Sequence, residues 1–427
     1  MRSSIITVAI AVALGSISFN AVAATHRTHH HHKAHRVAVE HAAPVSTPDL
    51  AAMAAARDNE IAQLKSEVAN LTAKVGALEE RTDAQSDINV GTQQNVEKLQ
   101  ANEAKVDKLD KLVSDTSISG KAFVDISGID QTNHGVKTNA SGVGIDVKRF
   151  YLGVTHQFND VWSANLTTDF SYIAADGVTN IFIKKAYLQG KFSDAAVFRI
   201  GSADMPWIPY VENYYGFRYV ENTLTDRLHY ANSADWGLHL GGNVGGGVDY
   251  AVSAVNGGGY KNPTRSKRMD FEGRVGFAPF ANAIIAVGAY SGTLGKETQS
   301  VNALHTADRV DLLAAYANKS VRFGVEYFQA KNWNNVLTAA SDKADGYSLW
   351  GSVGLSDKAT AFARFDQANL SKILNPSLKD TYFNAGVEYL LRKGLKVAAV
   401  YKHDRLSDNT HTDQKTDEFG VFGEVGF

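Results

Sequence analysis

The chain has 427 residues, no cysteine and a formal net charge of −2. Without cysteine there is neither a disulfide framework nor a thiolate metal site, and 43 basic against 45 acidic side chains, with no large basic block, exclude a general nucleic-acid binder. Mean hydropathy is −0.21, and past the first two dozen residues no apolar run reaches the ~18 residues of a spanning helix. A transmembrane barrel stays open, because its water-facing side chains dilute the apolar signal by half.

Residues 1–24 read as a secretory signal peptide: Arg2, an apolar core from Ile5 to Leu14, and the small-residue end Ala21-Val22-Ala23-Ala24. Export removes cytoplasmic enzymes from the field. Residues 25–48 form a histidine-rich arm with His26, His29, His30, His31, His32 and His35 in the tract 25–36 and His41 just beyond that tract. Clustered neutral imidazoles bind zinc, nickel or copper; the plainer reading is a disordered arm with incidental divalent-metal binding. No other cofactor is expected.

From 49 to 114 the sequence has no proline and only Gly76 and Gly91. Ile61, Leu64, Val68, Leu71, Val75 and Leu78 alternate three and four apart, the a/d seam of a coiled coil. A second seam, shifted in phase, runs through Ile88, Leu99, Val106, Leu109 and Val113, with Asn95 and Asn102 on it. The phase change near 82–87 reads as a stutter or a break. About 60 helical residues reach on the order of 90 Å, which gives a periplasmic segment able to touch the cell-wall peptidoglycan. A single helix lying on a domain surface is the alternative.

From residue 117 onward glycine, aromatic and β-branched residues alternate with period 2, the signature of strands with one apolar and one wet face. Sixteen strands are expected; the first is Lys121–Ile129, the eighth Lys267–Phe277 and the last Asp417–Phe427. The even number suits a single-chain barrel. Every second link is tight, as at Asn159-Asp160, Ser193-Asp194 and Lys393-Gly394, and those between are long. Short periplasmic turns alternating with long external loops are the habit of outer-membrane barrels. The expected fold class is therefore an all-β, sixteen-stranded antiparallel transmembrane barrel (117–427) preceded by an α-helical coiled coil. Outward rows such as Trp162-Leu166-Phe170 and Val321-Phe323-Val325-Tyr327 face lipid. Inward rows carry many ions, which in lipid cost roughly 2–4 kcal/mol each near the midplane, so they face a water-filled lumen.

The longest link, 204–234, is the third long one. It holds Trp207, Tyr210, Tyr214, Tyr215, Phe217, Tyr219 and Tyr230, too aromatic for a plain solvated loop. It also carries Arg218, Asp226 and Arg227. Folded inward, it narrows the lumen, and its aromatic faces either stack on sugar rings or pack the loop on the wall. The candidate lining residues on the strands are Arg149, Lys185, Arg199, Arg268 and Arg274.

The stretches S-G-K-A-F-V-D (119–125), V-K-R-F-Y-L-G-V (147–154), K-K-A-Y-L-Q-G (184–190) and F-R-I-G-S-A-D-M-P-W (198–207), with the closing strand ending on Phe427, make the barrel resemble the phosphate-selective porin O/P family. The terminal Phe resembles the signal that the barrel-assembly machinery reads. The resemblance implies a homotrimer in outer-membrane lipid, passing small hydrophilic solutes or phosphate through a constriction with an arginine ladder and loop lysines. Arg149, Lys185 and Arg199 fall at ladder positions; the 204–234 loop has no lysine. Not an enzyme but a passive porin is the leading expectation. Alternatives are a carbohydrate-selective porin, an outer membrane–cell wall tether, and a barrel hydrolase using inward His239, for which no triad spacing is present.

Overall fold

The computed structural model describes residues 50–173, 178–408 and 410–427. The signal peptide and the histidine arm lie outside them. Helix α1 (Leu50–Ser114) runs 65 residues, about 100 Å at the α-helical rise. It passes unbroken through 82–87, so the seam changes phase inside a continuous helix. Ile61, Leu64, Val68, Leu71, Val75 and Leu78 are all exposed on it.

The remainder is one closed antiparallel sheet. Its strands are β1 (Thr116–Asn133), β2 (Val136–Lys137), β3 (Gly142–Gln157), β4 (Trp162–Ile173), β5 (Val178–Ser193), β6 (Ala196–Asp204), β7 (Ala234–Gly245), β8 (Val248–Val255) and β9 (Asp270–Phe277). They continue as β10 (Ala283–Gly292), β11 (Ala307–Ala317), β12 (Val321–Lys331), β13 (Lys343–Gly354), β14 (Ala359–Asn369), β15 (Lys379–Arg392), β16 (Leu395–Ser407) and β17 (Asp413–Gly426). The two-residue β2 is a rung on the first long hairpin. The other sixteen are the staves, each bonded to its sequence neighbours, and β1 pairs with β17 to close the ring. Closure removes every free edge.

All sixteen expected strands are present, with differences at their ends. β1 begins at Thr116 and β17 at Asp413, both earlier than the alternation suggests, and β16 runs on to Ser407. In these ends both faces are polar, as in the pairs Thr132–Lys415 and Asp404–Thr416, so hydrogen bonding continues where the apolar period has stopped. β9 starts only at Asp270, which leaves Arg268 in a long link, paired with Glu297 at 2.7 Å. The outward rows hold: Leu166, Leu238, Phe323 and Val325 are exposed, while Glu326 and Phe328 between them are buried inside.

Five register shifts interrupt the pairing, two of them beside tight turns at Phe192 and Val244, and those on β3 and β5 decide what points inward. On β3 the pairing steps from Phe123–Arg149 to Val124–Val147, leaving Lys148 as an extra residue. On β5 it steps from Thr167–Lys185 to Thr168–Ile183, leaving Lys184 extra. A third falls at Leu391, between the β15 residues Leu390 and Arg392. Each of the first two bulges re-aims a side chain that strict alternation would send to the outer surface.

The link 205–233 turns into the barrel. It contains α2 (Ile208–Tyr215) and α3 (Leu224–Arg227). Pro209 suits the first turn of α2, and Gly216 ends it in the left-handed conformation at φ 81°. The stripe Ile208, Val211 and Tyr215 is buried, one face of a helix. α2 packs on β11 and β12, and α3 on β13.

The loop leaves β6 beside Gly201, whose φ is +124° and whose missing Cβ would stand 2.1 Å from the Ala186 carbonyl oxygen. Gly201→Ala should cost about 1–3 kcal/mol through backbone strain alone, seen as a lower urea midpoint for unfolding of the barrel in detergent.

Candidate functional site

The inner loop is held by the wall, and chiefly by Glu326. This β12 carboxyl is fully buried and accepts three hydrogen bonds from two limbs of the loop. Trp207 Nε1 donates at 3.0 Å, Leu224 N at 3.2 Å and Thr225 Oγ1 at 3.2 Å. Glu272 on β9 accepts from Trp207 N at 2.9 Å. A buried carboxyl is tolerable only with partners of this kind.

Four wall arginines add a second set of pins, each donating to loop backbone carbonyls. Arg274 reaches Pro206 O at 3.0 Å, Arg322 reaches Asn213 O at 3.0 Å, Arg309 reaches Tyr230 O and Arg364 reaches Asn222 O. Their remaining donors go to wall carboxylates: Arg309 to Glu272 and Asp311, Arg364 to Asp366, Arg274 to Asp249. In return the loop sends Arg227 into the wall, against Asp380 at 2.5 Å and Asp366 at 3.2 Å. Apolar packing completes the seal. Trp207, Tyr215 and Tyr219 are buried against the loop–wall core with Ile284, Leu313 and Trp350, and Phe217 stacks on Phe362 at 4.2 Å. Full burial of each such side chain contributes on the order of 1.5–3 kcal/mol.

Several residues expected at the lumen therefore face the wall. Trp207, Tyr215, Arg227 and Arg274 pack or pin the loop, because inward-facing apolar and acidic wall positions need covering. Tyr210 hydrogen-bonds Asp249 at 2.9 Å and lies against the Arg274 guanidinium, with Tyr214 edge-on at 5.4 Å. Burial raises both phenols above their ordinary range.

The open bore runs on the other side of the loop, along β1 and β3 to β6, as two chambers. One, about 600 Å³, lies toward the short turns and is lined by Lys121, Lys185, Asp204, Arg322, Lys396 and Glu424 among others. The other, about 230 Å³, lies toward the long links and includes Arg149, Asn222, Asp226, His229, Asn232 and Tyr260. Tyr151, Lys184 and Arg218 belong to both. They are the waist of the bore.

At the waist the Lys184 ammonium sits over the Tyr151 ring at 4.7 Å and the Tyr260 ring at 5.8 Å, attracted by the ring faces. Arg218 is paired with Glu212 at 2.6 Å and Asp226 at 3.4 Å. Burial opposes its charge, yet these carboxylates raise its pKa above the ordinary guanidinium value. Arg149 bonds Asp169 at 2.7 Å, and Lys185 bonds Asp204 at 2.5 Å. Arg199 stands away from this group, near the short turns, bonded to Gln189 at 2.7 Å in a cavity of about 650 Å³. Lys148 and Lys184 were missed because period 2 assigns them to the lipid face. The doublets Lys148-Arg149 and Lys184-Lys185 were the available signal: one member of each would otherwise cost roughly 2–4 kcal/mol in lipid.

Among the described residues, no group of three His, Cys, Asp or Glu side chains is placed to hold a metal ion, and His29–His32 and His35 lie outside them. His239 Nδ1 meets Ser253 Oγ at 2.8 Å, while its Nε2 has no hydrogen-bond partner. No acid orients this pair for hydrolysis.

Glu326→Ala strands three loop donors, each at a cost of about 1–3 kcal/mol, so the loop should detach. Single-channel conductance should rise and the 205–233 segment should become cleavable by protease. Glu221 adds a pH limit. Burial pushes its carboxyl up, but Lys402 and Lys148 outweigh this and hold it at about 2, below the usual 4.5. Its stabilisation is complete above 4.5 and lost as pH falls through about 2. The contacts of Glu221 with Lys402 and Lys148 should therefore loosen only near pH 2, read as a change in the size of the conductance steps at that pH.

The model of the family "Phosphate-selective porin O and P" matches residues 117–280. No curated protein matches the sequence. Among solved structures, the anion-selective porin from Comamonas acidovorans is similar at TM-score 0.52 and 12% identity, covering 73% of this chain and 99% of that one. OmpF of Salmonella typhi, in complex with daunomycin, gives TM-score 0.52 at 12% identity over 73% and 97%. OprB of Pseudomonas putida gives 0.52 at 10% over 76% and 96%. At these identities the structural likenesses speak for the fold. The family match is confined to residues 117–280, the first half of the barrel.

Proposed function

We propose that the barrel is a passive outer-membrane pore that favours small hydrophilic anions, phosphate among them. The observation that carries this reading is the sorting of charge across the bore. Carboxylates are as numerous as bases, but Asp270, Glu272, Asp311, Glu326 and Asp366 are all buried at the wall behind the loop. On the open side eight basic side chains, Arg149, Lys185 and Arg218 among them, stand against four carboxylates, Asp204, Glu212, Asp226 and Glu424, and Lys121, Lys184 and Arg322 have no carboxylate within 4.0 Å among the described residues. A permeating ion feels mainly the second set, since a fixed field at a narrow ring sets what passes. Sugar selectivity has less support, because Trp207, Tyr215 and Tyr219 spend their faces on packing.

The same reading places the short turns in the periplasm and the long links outside. The chain assembles as a trimer, with the exposed seam of α1 buried in a periplasmic coiled coil. Contact of that coil with peptidoglycan would add a tethering role. The histidine arm is read as a periplasmic segment with incidental metal binding.

A planar bilayer under a potassium chloride gradient tests the pore. Conductance should come in triplet steps with a reversal potential on the anion side, and phosphate should block better than maltose-type sugars. Lys184→Glu should move the reversal potential toward the cation side with the barrel still folded. Absence of conductance would sink the pore, and a cation-side potential in the wild type would sink the preference for anions.

A further inference from the structure

The outer surface of the barrel has two unlike halves. On β3 to β10 the outward rows carry no Asp, Glu, Lys or Arg among the described residues, and exposed Ile145, Leu166, Leu188, Leu238, Val252 and Phe271 typify them. On β12 to β17 the outward rows become basic near the long links. Lys331 on β12 lies directly across from Lys343 on β13. Arg405 on β16 lies directly across from Lys415 on β17. All four are exposed.

Like charges placed directly opposite destabilise a ladder, so two such pairs at one rim call for counter-charge. Asp417, the next outward residue after Lys415, acts on it electrostatically but is held by Tyr401 at 2.5 Å and His403 at 2.8 Å. Arg405 has Asp413 at 3.1 Å. Asp308 faces Lys331 from β11, but its oxygens take Ser291 at 2.6 Å and Thr306 at 3.3 Å. Asp345, the next outward residue after Lys343, is held by Lys372 and by Asn369 at 2.8 Å. Lys331, Lys343 and Lys415 have no carboxylate within 4.0 Å among the described residues.

Depth gives the second observation. Tyr327 and Tyr347 are also direct cross-strand partners, four residues from Lys331 and Lys343 and on the same outward rows. Phe365, Phe383, Tyr401 and Phe419 continue that aromatic row on β14 to β17. Aromatic side chains of this kind settle where acyl chains meet head groups. The lysines lie about 13 Å further along the strands, at roughly 3.3 Å per residue. That is head-group depth.

We propose that Lys331 and Lys343 form a clip for the phosphate of an anionic membrane lipid, with Arg405 and Lys415 as a second clip on the same face. The inference rests on the reading of the barrel as a membrane pore. A phosphate between the paired cations removes their repulsion, and the aromatic row beneath takes up the acyl chains. The uncharged half, β3 to β10, offers no such group, so the barrel meets anionic lipid on one side only.

The test uses the full chain in vesicles of phosphatidylcholine with phosphatidylglycerol, extracted into detergent, with retained lipid counted by native mass spectrometry. The wild type should favour phosphatidylglycerol by about fivefold for each lysine engaged. Lys343→Asp, which builds an ion pair with Lys331, should remove the share due to that clip while leaving the barrel folded and conducting; Lys343→Gln should reduce it. Equal retention of the two lipids by the wild type, or an unchanged preference in Lys343→Asp, would overturn the proposal. Displacement of the lipid by millimolar inorganic phosphate would also overturn it, in favour of a free-anion site. Lipid counting does not depend on current flow, so a barrel that binds lipid without conducting counts against the pore alone.

Discussion

A chain segment placed inside a wide barrel must find partners for its backbone and a reason not to leave. Glu326 meets both needs at one point. Its carboxyl gathers an indole N–H, a backbone N–H and a hydroxyl from the two limbs of the 205–233 loop. Each donor is one that burial would otherwise leave without a partner. The waist, the two chambers and the sorting of charge all depend on the loop lying against β11 to β13. The stored cost is a carboxyl in a fully enclosed place, offset only while the loop stays docked.

Seen from the wall, the same arrangement disposes of acids. Buried ion pairs are weak contributors to stability, because desolvation consumes most of the attraction. Arg309 with Glu272 and Asp311, and Arg364 with Asp366, are therefore better understood as geometry than as glue. They fix the directions in which guanidinium groups offer hydrogen bonds to the loop. They also withdraw carboxylates from the water path, leaving the basic residues of β3 and β5 to set the field there. Near-equal numbers of acids and bases in the sequence thus hide a bore in which bases outnumber acids.

The fold was legible in the sequence because period 2 and the alternation of tight and long links are local. Both survive without any knowledge of partners, and all sixteen staves follow from them. The strand ends were not legible where polar residues occupy both faces, as around Thr132 and Lys415. The site was legible only in part. Arg149, Lys185 and Arg218, placed by inward phase and loop position, border the open cavities. Lys148 and Lys184 required the bulges, which depend on pairing with a neighbouring strand. Trp207 and Tyr215 were assigned to the water path because aromatic content says that a loop packs, not what it packs on. Glu326 gave no sign at all among other inward acids, since its role is set by residues more than a hundred positions away.

Four of the loop's attachments are made by arginine to main-chain carbonyl oxygens, at Pro206, Asn213, Asn222 and Tyr230. Such contacts read the path of a chain and are indifferent to most of the side chains it carries. Side chains such as those of His229 and Asn232, which border the cavity, can then be exchanged with little effect on how the loop is seated. The inner loop is in this sense an interchangeable cassette on a fixed mount.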